Sequence, residues 1–262
     1  MIKRRFVIAG MLLTLMIFLA VMGTSERAAA SQDSSEGLAA VDKAAKAGKY
    51  LFVFVYKDGD QQVREMRAAF DKATNRVRNK ARTVAVDVAD PAEKAFVDQF
   101  KLEGAPTPMV LVLAPNGAIT AGIRTQLDDK QVADAFASDC AEKCLKVLQG
   151  GKFVLLCVQN DASKSGVAAM RAALDIKTDP RYAFVTEVVT VDPREKEELS
   201  FLSTLQVDTG TGEAITLILA PPGAILRKFT GPISKDDIAA VFSSINSGTC
   251  GPSNKSTCCP KK

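Results

Sequence analysis

The sequence contains an internal repeat, and this repeat constrains the fold more than any other feature. Four stretches of the first part recur 102 to 106 residues later in the same order. They are GKYLFVFVYKD from Gly48 and GKFVLLCVQND from Gly151, MRAAFD from Met66 and MRAALD from Met170, DPAEK from Asp90 and DPREK from Asp192, and LAPNGAI from Leu113 and LAPPGAI from Leu219. The repeat indicates a tandem duplication of one domain of about 100 residues.

Each repeat alternates between strand-like and helix-like patterns. In the first repeat, the apolar run from Tyr50 to Tyr56 predicts a strand buried on both faces. The segment from Gln61 to Ala73 predicts a helix with Val63, Met66, Ala69 or Phe70, and Ala73 on one stripe. The other predicted elements are helices over 38–47, 91–100 and 130–137, a buried strand over 83–88, and a hairpin of 109–113 and 118–122 around the turn APNG. This alternation predicts an α/β fold.

The order of these elements resembles the thioredoxin family. The matching stretch is VAVDVADPAEKAFVDQFKLEGAPTPMVLVLAPNGAI, residues 84–119, which is similar to the family's second strand, third helix, cis-proline loop and hairpin. The resemblance identifies Pro108 as the candidate cis-proline, with Pro106 as the alternative, whereas the second repeat has Ala214 at the equivalent position. It implies two tandem thioredoxin-like domains, residues 38–140 and 141–247, each with a central mixed sheet flanked by helices.

The resemblance also implies where a redox pair of cysteines should lie. In the family it follows the first core strand, at a helix N-terminus that lowers the pKa of the attacking thiol. Here Asp60 and Val63 take the two cysteine positions in the first repeat, and Lys164 and Val167 take them in the second. This argues against thioredoxin-type oxidoreductase activity. For Asp60, a helix cap is the simpler interpretation, and a functional acid is the alternative.

The six cysteines fall in three places. Cys157 lies in the apolar run FVLLCVQ, which favours a role as a small buried side chain. Cys140 and Cys144 are predicted to straddle the junction of the two domains, as a junction staple or as two buried thiols. Their spacing of four also allows one helical face that binds a soft metal ion or, if the helix breaks there, a disulfide. The C-terminal tail, residues 248–262, carries Cys250, Cys258 and Cys259, with Cys250 aligned opposite Cys144 at an offset of 106. Disulfides or free thiols, soft-metal binding (copper, zinc or a metalloid) and a mobile redox pair remain alternatives for this tail.

Composition excludes several classes of function. Histidine is absent, so His-dependent triads, bases and metal sites are excluded. Of the 34 basic and 30 acidic side chains, four basic and one acidic lie in the first 30 residues, which leaves a nearly neutral remainder. Because nucleic-acid binding depends on basic surfaces and on aromatic side chains for stacking, we expect no nucleic-acid partner.

The N-terminus predicts export. Basic residues 3–5 precede an uncharged run over 6–23, and the small residues 28–30 form a candidate cleavage site before Ser31. Residues 1–30 are therefore a signal peptide or an uncleaved membrane anchor, followed by a polar linker over 31–37. The body is expected outside the cytoplasm, in a periplasmic or other extracytoplasmic space.

Two functions agree with these features. The first is a protein-binding, scaffold or chaperone-like module, with a polypeptide client bound near Pro108, Asp58 and Asp60. The second is thiol-based redox or soft-metal handling through the C-terminal cysteines.

Overall fold

The computed structural model describes residues 35–124 and 127–246. The first unit contains helices α1 (Glu36–Lys46), α2 (Gln61–Thr74), α3 (Lys94–Phe100) and α4 (Asp129–Asp134), and strands β1 (Tyr50–Tyr56), β2 (Ala81–Asp87), β3 (Met109–Leu113) and β4 (Ile119–Ile123). The second unit contains helices α5 (Asp139–Gln149), α6 (Gly166–Thr178), α7 (Leu199–Thr204) and α8 (Lys235–Asn246), and strands β5 (Phe153–Val158), β6 (Thr186–Val191), β7 (Ile215–Ala220) and β8 (Ala224–Thr230).

Each unit has a four-stranded mixed sheet, and the strand order is the same in both. The order is β2-β1-β3-β4 in the first sheet and β6-β5-β7-β8 in the second. The first two strands of each unit pair in parallel, and the remaining pairs are antiparallel. The strand order confirms the predicted fold class of two tandem thioredoxin-like domains.

The strand β2 differs from its prediction as a buried strand. Among the described strands it is an edge strand that pairs with β1 alone; Arg82 and Thr83 are exposed, although Val84 and Val86 are buried. The run TVAV is too short to distinguish an edge strand from a central one.

The first helix of each unit is capped by a serine and a buried glutamate that is distant in sequence. Glu93 accepts hydrogen bonds from the Ser35 hydroxyl (2.5 Å) and the Gly37 N–H (3.1 Å). Glu198 accepts from the Ser138 hydroxyl (2.5 Å) and the Cys140 N–H (2.9 Å). The N-cap of α1, Ser35, therefore lies inside the predicted linker over 31–37, and the predicted boundary between residues 140 and 141 lies within the first turn of α5.

The two units contact each other along α5. The Tyr50 hydroxyl donates to Glu142 of α5 and accepts from the Ala137 N–H at 2.9 Å. The Gln149 side-chain amide donates to the Ile119 carbonyl at 2.7 Å and accepts from the Ile119 N–H at 2.8 Å. One side chain thus extends the hydrogen bonding of β4.

Several predictions concern segments outside the described residues. These are the signal or anchor over 1–30 and the tail with Cys250, Cys258 and Cys259. Among the helices of residues 35–124 and 127–246, none has the length and apolar character to span a membrane.

Candidate functional site

The strand-to-helix junction of the first unit is a capped helix start. Asp60 is exposed and is the N-cap of α2, where its carboxylate accepts from the Val63 N–H at 2.8 Å. Val63 is buried in the core under α2. The geometry therefore uses Asp60 to satisfy a free N–H group of the first helical turn.

Pro108 lies at the same end of the sheet as this junction, where β1 ends and β3 begins. The peptide bond between Thr107 and Pro108 is cis, and Pro108 is buried directly before β3. Because Val55 near the end of β1 pairs with Met109 at the start of β3, the loop after β1 and the proline are adjacent. A second cis bond, between Pro221 and Pro222, lies in the turn between β7 and β8.

The corresponding junction of the second unit is longer and more tightly hydrogen-bonded. Lys164 pairs in parallel with the segment before β7: its N–H donates to the Gly212 carbonyl and its carbonyl accepts from the Ala214 N–H, both at 2.9 Å. Asn160 fixes the start of the loop, because its side chain accepts from Ala162 N–H at 2.9 Å and donates to Asp192 at 3.1 Å. The loop backbone is thus hydrogen-bonded to the segment that contains Ala214, the position equivalent to Pro108.

Helix α6 buries the same positions as α2 when the units are aligned on their first strands, at an offset of 103, but its MRAALD motif lies one residue later, at an offset of 104. In the repeat, Val167, Met170 and Leu174 align with Val63, Met66 and Phe70, the buried stripe of α2. In α6 the buried positions are instead one residue removed, at Gly166, Ala169, Ala172, Ala173 and Ile176. The side chains that should be in the core by homology face outward: Val167 is 88% exposed, Leu174 is 48% exposed, and Met170 is partly buried.

These three side chains line a groove, which we call the α6 groove. It has a volume of about 810 Å³ and also contains Arg171 and Asp175 of α6 and Thr190 of the edge strand β6. Gln159, Asn160 and Asp161 of the preceding loop also line it. The groove therefore combines apolar side chains, charged side chains of both signs, and a strand that pairs on only one side within the described residues.

The described cysteines are buried and separate from this groove. Cys140 and Cys144 do not straddle the junction as predicted, since both lie on α5 and pack into the core of the second unit. A hydrogen bond to Cys144 and burial raise the pKa of the Cys140 thiol far above its usual range. Burial raises the pKa of Cys157 to about 11. Both shifts disfavour a thiolate. The described residues contain no group of three or more Cys, Asp or Glu side chains able to hold a metal ion.

No protein-family model matches the sequence, and no curated protein matches it. Among solved structures, the zinc-bound form of human ERp44 aligns with 84% of this chain and 60% of its own length, at 14% identity and a TM-score of 0.34. The first two thioredoxin domains of Saccharomyces cerevisiae Eps1p align with 76% of this chain and 92% of their own, at 10% identity and a TM-score of 0.28. The equivalent domains of Naumovozyma dairenensis Eps1p align with 84% and 97%, at the same identity and TM-score. The chain thus spans less than two thirds of ERp44.

The α6 groove was not predicted from the sequence, which directed attention to Pro108, Asp58 and Asp60 in the first unit. The available signal was the change in the repeat offset, from 103 at the first strand to 104 at the MRAALD motif. The buried helix positions keep the offset of 103, so the aligned motif residues fall one position away from the buried face.

Proposed function

We propose that this chain is an exported thioredoxin-fold protein that binds polypeptides through the α6 groove and does not carry out disulfide exchange at the two junctions. The observation that carries the proposal is the exposed apolar stripe of Val167 and Leu174 on a helix whose opposite face is packed. Apolar side chains gathered on one surface typically mark a site of protein interaction. The lack of cysteine at Asp60, Val63, Lys164 and Val167 supports binding over redox exchange.

The proposed ligand is an extended apolar segment of a partner polypeptide. Beside the groove, β6 presents an edge that no described residue pairs with, so an extended chain can add to the sheet there. Side chains of such a segment can then lie on Val167, Met170 and Leu174. Arg171 and Asp175 on the rim can bind polar groups of either sign, which suits a range of client sequences.

The test is binding of a reduced, unfolded client protein by the full chain, compared with a Val167→Asp, Leu174→Asp variant. We expect the double variant to lose at least about tenfold in affinity, because two apolar contacts worth roughly 1.5–3 kcal/mol each are replaced by carboxylates. Thermal unfolding should change little, since both side chains are exposed. The matched control is Ile225→Asp, which changes an exposed apolar side chain on β8. Equal binding by all three proteins would refute the proposal.

Soft-metal or redox handling by the C-terminal Cys250, Cys258 and Cys259 is the second candidate, because Cys140 and Cys144 are buried in the core and the raised pKa of Cys140 disfavours its thiolate. A chain with all six cysteines replaced by serine or alanine separates the two functions. Client binding that survives this replacement supports the α6 groove. Client binding lost only in the cysteine-free chain supports the thiols, including those at Cys250, Cys258 and Cys259.

A further inference from the structure

A cavity of about 740 Å³ lies in the first unit, where α2 ends and β2 begins. We call it the basic pocket. Three cationic residues line it, Lys49, Arg78 and Arg82, together with polar Thr74, Asn75 and Thr83 and the carboxylate of Asp71. The basic pocket lies in the first sequence repeat and the α6 groove in the second, and the two share no residue.

The three cations of the basic pocket have no acidic partner among the described residues. Lys49 donates only to the Arg78 carbonyl oxygen, at 3.1 Å. Asp71, the acid in the lining, accepts from the Arg67 Nε at 3.1 Å and is thereby neutralised by a residue outside the pocket. The pocket therefore has an excess of positive charge, although the body of the chain is nearly neutral.

The second unit shows how the same position is neutralised. Lys152 occupies the position of Lys49, and it forms an ion pair with Glu187 at 2.9 Å. Glu187 also pairs with Lys177 at 2.9 Å. In the sheets, Glu187 lies opposite Val154 as Arg82 lies opposite Leu51, so the two are equivalent residues of the repeat. A carboxylate between two cations in the second unit is thus replaced by a third cation in the first.

The cations are brought together by the sheet rather than by chance proximity of flexible side chains. The Tyr50 N–H donates to the Lys80 carbonyl at 3.0 Å, which places Lys49 beside the start of β2. Leu51 then pairs with Arg82 in the parallel ladder. Backbone hydrogen bonds therefore hold the positions from which Lys49 and Arg82 extend.

We propose that the basic pocket binds a phosphate group, which supplies the negative charge that Glu187 supplies in the second unit. Two guanidinium groups and an ammonium suit a doubly charged oxyanion, since arginine presents paired N–H donors that match phosphate oxygens. The hydroxyl of Thr83 and the amide of Asn75 add uncharged donors, whereas the Thr74 hydroxyl already donates to the Phe70 carbonyl at 2.8 Å. The phosphate can be free in solution or can belong to a lipid headgroup, and the chemistry of recognition is the same.

The experiment is calorimetric titration of the full chain in neutral detergent with two probes. The first probe is inorganic phosphate, and the second is water-soluble dihexanoyl phosphatidic acid, with dihexanoyl phosphatidylcholine as its zwitterionic reference. We expect saturable binding with a Kd below about 1 mM for at least one probe. Binding of inorganic phosphate identifies free phosphate as a source, whereas binding of phosphatidic acid alone identifies the headgroup.

The discriminating variant is Arg82→Glu, which restores the acid found at Glu187. It should lower the affinity by at least about tenfold, because it removes a charge-assisted contact and adds a competing carboxylate. The control is Arg227→Glu, a change of the same charge at an exposed position on β8 that forms no ion pair within residues 35–124 and 127–246. An equal loss in both variants, or no saturable binding of either probe, overturns the proposal.

Discussion

Glu198 is a charged residue in the acidic run REKEE, yet it is almost fully buried. Sequence reasoning assigns such a run to a solvated surface, because charged side chains are rarely buried without partners. The partners of Glu198 are Ser138 and Cys140, some 60 residues earlier. A contact at this separation has no local sequence pattern, which is why neither it nor the equivalent contact of Glu93 was predicted.

This burial predicts that Glu198→Ala destabilises the chain. The substitution leaves the Ser138 hydroxyl and the Cys140 N–H without their acceptor, so we expect a loss of about 2–4 kcal/mol in the free energy of unfolding. Urea denaturation measures it. Glu197→Ala is the control, because Glu197 is the exposed neighbour in the same run. Similar midpoints for the two variants would contradict the capping role.

Helices and strands were predicted more reliably than their faces. The bounds of β1 and β3 agree with the sequence patterns, because continuous apolar runs of strand length indicate buried strands. The burial of α6 could not be deduced in the same way. The motif MRAALD repeats MRAAFD of α2, but it lies one residue later relative to the buried face of its helix. The candidate groove depends on that shift, so only the structure revealed it.

The one-residue displacement of the motif predicts effects of different size for two substitutions at aligned positions. Phe70 is fully buried in α2, and Leu174, its counterpart in α6, is 48% exposed. Phe70→Ala should lower the free energy of unfolding by about 3–5 kcal/mol through loss of burial and formation of a cavity. Leu174→Ala should change it by less than about 1 kcal/mol, since the side chain already contacts solvent.

Urea denaturation of the two variants tests which residues of the motif are buried in α6. Ala173→Leu adds a third measurement, because Ala173 is fully buried and a larger side chain should overpack α6 at a cost of about 1–3 kcal/mol. A large effect of Leu174→Ala together with tolerance of Ala173→Leu would mean that α6 buries the residues that align in sequence with the buried stripe of α2.

At the scale of the whole molecule, the two units are joined by a polar contact with a partly buried acid. Glu142 of α5 accepts from the Tyr50 hydroxyl, and Tyr50 also contacts Ala137 through its hydroxyl. Burial raises the pKa of Glu142, the hydrogen bond from Tyr50 partly opposes this rise, and the charges of Asp139 and Glu198 add to it. Burial and the hydrogen bond to Glu142 likewise raise the pKa of Tyr50. The junction of the units therefore contains an acid that holds its proton more tightly than in the unfolded chain.

The raised pKa of Glu142 predicts how the stability of the joined units depends on pH. Above pH 4.5, the ordinary pKa of a glutamate, the folded chain binds a proton at Glu142 more readily than the unfolded chain does. The stability that this protonation contributes is fully present below pH 4.5 and is lost as the pH rises through the folded-state pKa. Glu142→Gln removes the titration, so its free energy of unfolding relative to the parent chain should increase as the pH rises from about 4 to 7. Urea denaturation across this range measures the difference.

Glu103→Gln, at an exposed carboxylate of the first unit, is the control. A difference that is constant with pH for Glu142→Gln, or that decreases as pH rises, would show that folding does not raise the pKa of Glu142.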